Sequence, residues 1–329
     1  MKLLVTGGLG FIGSNFILNL LKNSDDFEVL NIDAELYGSD HRNLSEIKNS
    51  KKYEFIKGNI TNKKFMEEQI KKCDAVINFA AESFVDRSIS DANPFLVSNI
   101  RGAFTILDII SKENKRMIQI STDEVFGSLS SGTASEDSKF NPSSPYAATK
   151  AAAELLINSY LITYGSDVII TRCTNNYGPR QFLEKLIPKT IALAYNNKKI
   201  PVYGNGLNIR DWIFVEDHCN AIRLALEKGK SGESYNISAN NEIDNLTVIK
   251  KILEIMNKSE DLIEFVEDRP GHDLRYSMNS NKIMKKLDWK INSDFDNGLK
   301  TTIDWYVQNP SVLNDITKAL ETTPWKNSN

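Results

Sequence analysis

Two hydrophobic rhythms divide the chain. In its first half, short runs of branched apolar residues alternate with stretches whose apolar positions recur every three or four residues. KLLVT (Lys2–Thr6) predicts a buried strand. Phe11, Ile12, Phe16, Ile17, Leu20 and Leu21 trace one face of a helix over Phe11–Lys22. The same reading predicts strands over Phe27–Asp33, Tyr53–Lys57, Asp74–Phe79, Met117–Ser121 and Val168–Arg172, with helices over Lys63–Lys71, Pro94–Ser111 and Pro145–Tyr164. Near-continuous apolar strands need cover on both faces, so the predicted fold class is α/β, a doubly wound parallel sheet with right-handed crossovers.

After about residue 173 the rhythm breaks. Glycine, asparagine and proline gather in Asn175–Arg180 and Val202–Gly206. Isolated strands (Asp211–Val215, Ser234–Ile237, Ile263–Val266) mix with helices over Asp217–Lys228 and Leu246–Asn257. We therefore expect residues 1–173 to form the first domain and 174–329 a smaller α+β lobe whose loops face the carboxyl edge of the sheet, with some elements rejoining the first domain. Without a linker or repeat, the two should pack closely around a cleft.

Composition adds mainly exclusions. The 329 residues are 41% hydrophobic and 25% charged, with 40 basic and 43 acidic side chains and a net charge of −3. That is a globular balance with no basic field for nucleic acid. No apolar run reaches the ~20 residues of a membrane span, and MKLLVTGG turns to glycine too soon for a signal peptide, so a cytoplasmic protein is expected. Cys73, Cys173 and Cys219 are widely spaced, indicating buried thiols rather than disulfides or a metal site.

The first chemical signal is TGGLGFIGS (Thr6–Ser14), which places Gly7, Gly10 and Gly13 between a strand and its helix. Such glycines permit a tight turn, close approach to a pyrophosphate and an anion at the helix N-terminus, making the fold Rossmann-type. Asp33 follows Gly13 by 20 residues and closes the second strand, where a carboxylate accepts from a ribose 2′-hydroxyl and repels a 2′-phosphate. NAD is therefore expected rather than NADP. Arg42, the nearest candidate partner for a 2′-phosphate, reads as a solvated surface residue.

The second signal is Tyr146-x-x-x-Lys150, one helical turn apart, where an ammonium and a cationic nicotinamide ring favour tyrosinate as a base. Ser121 and Thr122 end the fifth strand and offer hydroxyls beside it. Asp123 and Glu124 follow directly; at a strand's carboxyl end, an acid and a base emerge if their environments split their pKa values. The Tyr–Lys set resembles the extended short-chain dehydrogenase/reductase superfamily.

The stretches TGGLGFIGSNF, NFAAESFVDRSI, STDEVFGS, PSSPYAATKA, RCTNNYGPRQFLEKLIPK, GNGLNIRDWIFVEDHC, YNISANNE and DRPGHDLRY together resemble the dTDP-glucose 4,6-dehydratase family over nearly the whole chain. The resemblance implies NAD-mediated oxidation at the sugar C4 with Tyr146 as base, Thr122 holding the sugar and Lys150 tuning the tyrosine. Glu124 would then take the C5 proton while Asp123 protonates the departing C6 hydroxyl. Return of hydride to C6 and of a proton to C5 gives a 4-keto-6-deoxy sugar and restores NAD. It further implies cofactor contacts at Phe11, Ile12, Asp33, Asn59, Ile60, Ala80, Ala81, Ser98, Asn99 and Asn176. Ser83 and Asn175 match sugar or diphosphate contacts. Lys185, Leu186, Pro201, Val202, Tyr203, Arg210, Asn245, Asp268, Arg269 and His272 match the nucleotide side. Arg210 suits bidentate capture of a diphosphate; Arg87 reads as structural. Relatives of this family pair through two helices, here Pro94–Ser111 and Pro145–Tyr164, so a homodimer is expected.

The chain departs from the family pattern at Phe84, usually histidine, at Phe126, usually tyrosine, and at Asn59, usually an acid. The rival readings are the same reaction on a UDP-sugar, a sugar-nucleotide 4-epimerase, and a non-catalytic NAD-binding scaffold.

Overall fold

The computed structural model describes residues 1–314 and 316. Its strands are β1 (Lys2–Thr6), β2 (Glu28–Asp33), β3 (Tyr53–Lys57), β4 (Ala75–Asn78), β5 (Arg116–Thr122), β6 (Val168–Cys173), β7 (Asn175–Tyr177), β8 (Ile200–Tyr203), β9 (Ile209–Phe214), β10 (Ser234–Ile237), β11 (Glu242–Asp244) and β12 (Ile263–Val266). Seven of them form one parallel sheet in the order β10-β6-β5-β4-β1-β2-β3. Alternate residues explain the apolar runs: Leu3 and Val5 of β1 enter the core on one face, Leu4 the core on the other. β4 and β5 divide likewise, with Ile77 and Ile118 on one side and Val76 and Met117 opposite. Helices cover both faces, which makes this a Rossmann-type α/β fold.

Strand order reverses between β1 and β4, opening a crevice at their carboxyl ends between the glycine loop and the segment after β4. Helix Phe11–Asn23 buries Phe16, Ile17 and Leu20 and packs against helix Val215–Lys228. Ser234–Ile237, expected as an isolated strand, pairs with β6 at the edge of the main sheet. The predicted helix over Pro94–Ser111 is continuous but composite, running through Asn93–Phe95, a π-helical Leu96–Gly102 and Ala103–Lys112. A Cβ on Gly102 would lie 2.4 Å from Ile60 Cδ1, so glycine admits that close approach.

Helix Asn281–Leu287 joins the core of the main sheet, and most other elements after β6 build a second layer over the carboxyl edge. β9 pairs with β7 and β11, and β8 pairs with β12. Helices Leu186–Tyr195, Asn245–Ile255 and Phe295–Gln308 share a core of Ile187, Ile191, Val248, Ile252, Leu299 and Tyr306. Periodicity missed the short strands β7, β8 and β11 because each spans only three or four residues in glycine-, asparagine- or proline-rich sequence.

Candidate active site

At the end of β1 the chain turns through Gly7 with φ +69°. A Cβ there would lie 2.7 Å from Ala80 N, and one on Gly13 would lie 2.5 Å from Gly7 O. The glycines thus bring the N-terminus of helix Phe11–Asn23 against the crevice, where its first N–H groups are able to receive an anion. Asp33 is buried at the end of β2. Its Oδ2 accepts from Leu9 N (3.0 Å), and its Oδ1 accepts from Glu35 N and Ser39 Oγ (both 2.8 Å). The carboxylate is therefore fixed beside the glycine loop. Arg42 instead pairs with Asp40 on the surface.

A cavity of about 530 Å³ runs from this loop along the carboxyl edge of the sheet to β7. It gathers Gly7, Gly10, Phe11, Ile12, Gly13 and Asp33 with Asn59, Ile60, Ala80, Ala81, Ser83 and Ser98. Thr122, Asp123, Glu124, Tyr146, Lys150, Asn175, Asn176 and Lys185 complete its far wall. Asn99 lies behind that wall: its Oδ1 accepts from Glu82 N (2.8 Å), and its Nδ2 donates to Glu82 O (3.0 Å) and Thr149 Oγ1 (3.0 Å).

Helix Pro145–Tyr164 begins with the Ser144 hydroxyl accepting from Ala147 N and Pro145 in the first turn, and ends at Gly165 with φ +65°. Successive turns of it align Tyr146, Lys150 and Glu154 on one face. Lys150 Nζ donates to Ile120 O at 2.6 Å, and burial lowers its pKa to about 8. Glu154, fully buried, pairs with Arg172 (2.7 Å) and accepts from Ser121 Oγ (2.5 Å), tying the helix to the ends of β5 and β6. Burial, reinforced by the negative charge of Glu124, holds the Tyr146 phenol well above its ordinary value, while the Thr122 hydroxyl opposes that rise. Its ionisation needs positive charge in the cavity, and the Lys150 ammonium stands one turn away along the same wall.

Asp123–Phe126 is a single 3₁₀ turn after β5, capped by Thr122 Oγ1 accepting from Glu124 N (3.3 Å) and closed by Gly127 with φ +70°. The two carboxyls meet different fields. Burial, then the charge of Glu124, pushes Asp123 well above the usual carboxylate range. Burial also raises Glu124, but Arg269, Lys185 and Arg210 pull against it. These surroundings favour a proton on Asp123 and ionisation of Glu124, the arrangement an acid and a base on adjacent residues require. Asp123 Oδ2 and Glu124 Oε2 are buried with no hydrogen-bond partner among the described residues.

Beyond Glu124 the cleft continues into a cavity of about 200 Å³ under the second layer. Leu186, Pro201, Val202, Tyr203, Arg210, Asn245, Arg269 and His272 line it. Arg210 stacks 4.4 Å over the Tyr276 ring and donates to Ile209 O (2.7 Å) and Asp273 O (2.9 Å). Arg269 Nη1 lies 2.5 Å from Asp86, and Lys185 Nζ donates to Ser83 O. Burial, then Arg269, lowers His272 to about 4, so it is neutral at pH 7. Asp268 does not reach the cavity; it holds His272 Nδ1 at 2.6 Å.

Phe84 lines both cavities and packs edge-on against Tyr37 and Phe182. Phe126 faces a separate cluster with Phe140, Ala134 and Met278, under the Arg172 guanidinium, so only the first of these two departures bears on the cleft. Arg87 joins Glu184 at 2.8 Å and stacks 3.7 Å over Tyr37, bridging the two halves of the cleft. Sequence reasoning missed Tyr37, Glu82, Thr174, Gln181 and Phe182 as cavity residues, because they stand on loops where no periodicity marks an inward face.

A family model described as GDP-mannose 4,6 dehydratase matches residues 4–302. The dTDP-glucose 4,6-dehydratase of Haemophilus influenzae is 44% identical, covering 94% of this chain and 99% of its own length. The chain belongs to the sugar-nucleotide 4,6-dehydratase family. Another family relative, the low-salt glycan biosynthesis protein Agl12 of Haloferax volcanii, is 46% identical over 93% of this chain and 99% of its own. The crystal structure of DesIV, a dTDP-glucose 4,6-dehydratase from Streptomyces venezuelae with NAD bound, superposes with a TM-score of 0.93 at 40% identity, covering 94% of this chain and 98% of that one. The cavity holds two adjacent carboxyls, a tyrosine–lysine pair and a glycine cradle within one continuous space.

Proposed function

We propose that the protein is an NAD-dependent hydro-lyase that converts dTDP-glucose to dTDP-4-keto-6-deoxyglucose and water. The observation that carries this reading is the pair Asp123–Glu124, split into acid and base, in one cavity with Thr122, Tyr146 and Lys150. The crevice fits a dinucleotide: Cβ atoms at Gly7 and Gly13 would fill the cradle, and Asp33 stands where a ribose hydroxyl can donate. Gly10, Phe11 and Ile12 would hold the pyrophosphate, with Asn59 and Ile60 at one end of the dinucleotide and Ala80, Ala81, Ser98 and Asn176 toward the other. NAD, when bound, supplies the oxidation at C4 and the reduction at C6 that bracket the elimination.

The chain's own groups do the proton work. Tyr146 takes the proton of the C4 hydroxyl, held in place by Thr122, and the Lys150 ammonium stabilises the phenolate during that transfer. A ketone at C4 acidifies the C5 proton, which Glu124 removes and gives back when C6 is reduced. The C6–O bond breaks as Asp123 delivers its proton to the oxygen, and water leaves. Arg210, Arg269 and Lys185 face the diphosphate from the second cavity, with Ser83 and Asn175 at the sugar. Leu186, Pro201, Val202, Tyr203, Asn245 and the neutral His272 enclose the nucleoside, with Asp268 steadying the histidine.

A 4-epimerase has no leaving group at C6 to protonate, so the Asp123–Glu124 pair favours dehydration. Incubation with dTDP-glucose tests the reading: a 4-keto product that absorbs near-ultraviolet light in alkali is expected, and a product retaining its C6 hydroxyl contradicts it. Turnover compared between dTDP-glucose and UDP-glucose tests the base preference. We also propose a cytoplasmic homodimer. No helix of the described residues is long and apolar enough to cross a membrane. The helices expected to pair expose Phe104, Leu155, Ile162 and Tyr164, an apolar surface suited to a second copy; light scattering measures the mass.

A further inference from the structure

One charged group in the large cavity has no task in this chemistry. Glu82 follows β4, half-buried in the wall between Ala81 and Ser83. Its carboxylate has no hydrogen bond or salt bridge among the described residues. Its backbone, in contrast, is clamped on both sides by the Asn99 amide. That amide also bonds Thr149, whose hydroxyl donates to Tyr146 O at 2.7 Å. The unpartnered carboxylate is therefore held in fixed relation to the catalytic helix.

We propose that Glu82 binds ligand, accepting hydrogen bonds from the vicinal hydroxyls of a sugar ring, and that this ring is the ribose on the nicotinamide side of NAD. The inference rests on the dehydratase reading above. A carboxylate accepts and never donates, and it repels phosphate; among the ligands' groups, hydroxyls are its natural donors. Strand order places it along the dinucleotide. Asp33 on β2 marks the adenosine ribose, the β1 loop marks the pyrophosphate, and the turn after β5 carries the catalytic pair. β4 lies between β1 and β5, so the group over its carboxyl end joins pyrophosphate to nicotinamide. Burial raises the Glu82 pKa only against the pull of Arg87, a charge that paired hydroxyl donors would stabilise further.

The test is calorimetric titration of dinucleotide-free protein with NAD+ and with an analogue lacking the 2′-hydroxyl of the nicotinamide-side ribose, for wild type, Glu82→Gln and Glu82→Asp. Loss of a hydrogen bond to a charged acceptor predicts about tenfold weaker NAD+ binding by Glu82→Gln and about tenfold weaker analogue binding by wild type. The two losses are expected not to multiply in the variant–analogue combination, a coupling that a merely structural role would not produce. Glu82→Asp, which keeps the charge, is expected to lose less, and KM for dTDP-glucose at saturating NAD+ to stay within about twofold. Unchanged NAD+ affinity, or losses that multiply, overturns the proposal. A raised KM with NAD+ affinity intact overturns the ribose assignment in favour of the hexose hydroxyls. Wild-type protein that binds no NAD+ overturns the dehydratase reading itself, whereas NAD+ binding indifferent to Glu82 overturns this inference alone.

Discussion

Asp123→Asn separates the elimination from everything around it. The carboxyl is buried; its Oδ1 accepts from Thr122 Oγ1 at 3.1 Å, and its Oδ2 has no partner among the described residues. Burial and the Glu124 charge favour its protonated form, which asparagine matches as a neutral planar group of the same shape. The fold should tolerate this, with a stability change within about 1 kcal/mol. The chemistry should not, because the amide cannot deliver a proton to the departing C6 oxygen. General acid catalysis contributes about 10²–10⁴-fold, or about 3–5 kcal/mol of barrier, and dehydration should slow by that factor. The C4 oxidation, which needs Tyr146 and not Asp123, should proceed, so the near-ultraviolet absorbance of reduced cofactor should build up on mixing with dTDP-glucose. Stopped-flow absorbance with mass analysis of the product reads both steps. Dehydration within threefold of wild type, or loss of oxidation and elimination in equal measure, would refute the acid role. The raised pKa has a thermodynamic companion. Above the ordinary value of 3.8 the unfolded carboxyl is ionised while the native one still holds its proton, so its contribution to stability falls as pH rises from there toward its native pKa. Asparagine should flatten that part of the melting-temperature profile.

Other perturbations report on separate parts of the site. Lys150 titrates at about 8, so kcat should decline as pH rises through that value and the ammonium is lost; a flat profile would count against its role. Gly13→Ala sets a Cβ 2.5 Å from Gly7 O, and calorimetry should show NAD+ binding weakened by at least about tenfold. Arg210→Lys loses the planar fork, and KM for the sugar nucleotide should rise about tenfold with kcat changed less than about threefold. Arg172→Met strands the fully buried Glu154 carboxylate, and chemical denaturation should show a loss of about 3–5 kcal/mol.

The sequence disclosed the sheet because β1, β2, β4, β5 and β6 are buried on both faces, which leaves a near-continuous apolar signal. The half-buried edge strand β3 shows in its Tyr53, Phe55 and Ile56. Thr122, Asp123, Glu124, Tyr146 and Lys150 were legible for a related reason: they stand at the ends or first turns of regular elements, where position fixes direction. The second layer was harder to read. β7, β8 and β11 are too short for periodicity, and Ser234–Ile237 shows in its residues that it is a strand but not that it pairs with β6. Loop residues were least legible. Nothing in the spacing of Phe126 says that its ring turns away from the cleft toward Phe140, or that Asn99 reaches behind the wall to hold Glu82. Such directions are set by packing between segments far apart in sequence.

The central claim is that one sugar is oxidised at C4, dehydrated across C5 and C6, and reduced at C6 by the same cofactor. dTDP-glucose carrying deuterium at C4 tests it directly, with the product read by NMR and mass spectrometry. Loss of water and the deuterium found at C6 are expected. Deuterium retained at C4, or a product that keeps its C6 oxygen, would contradict it.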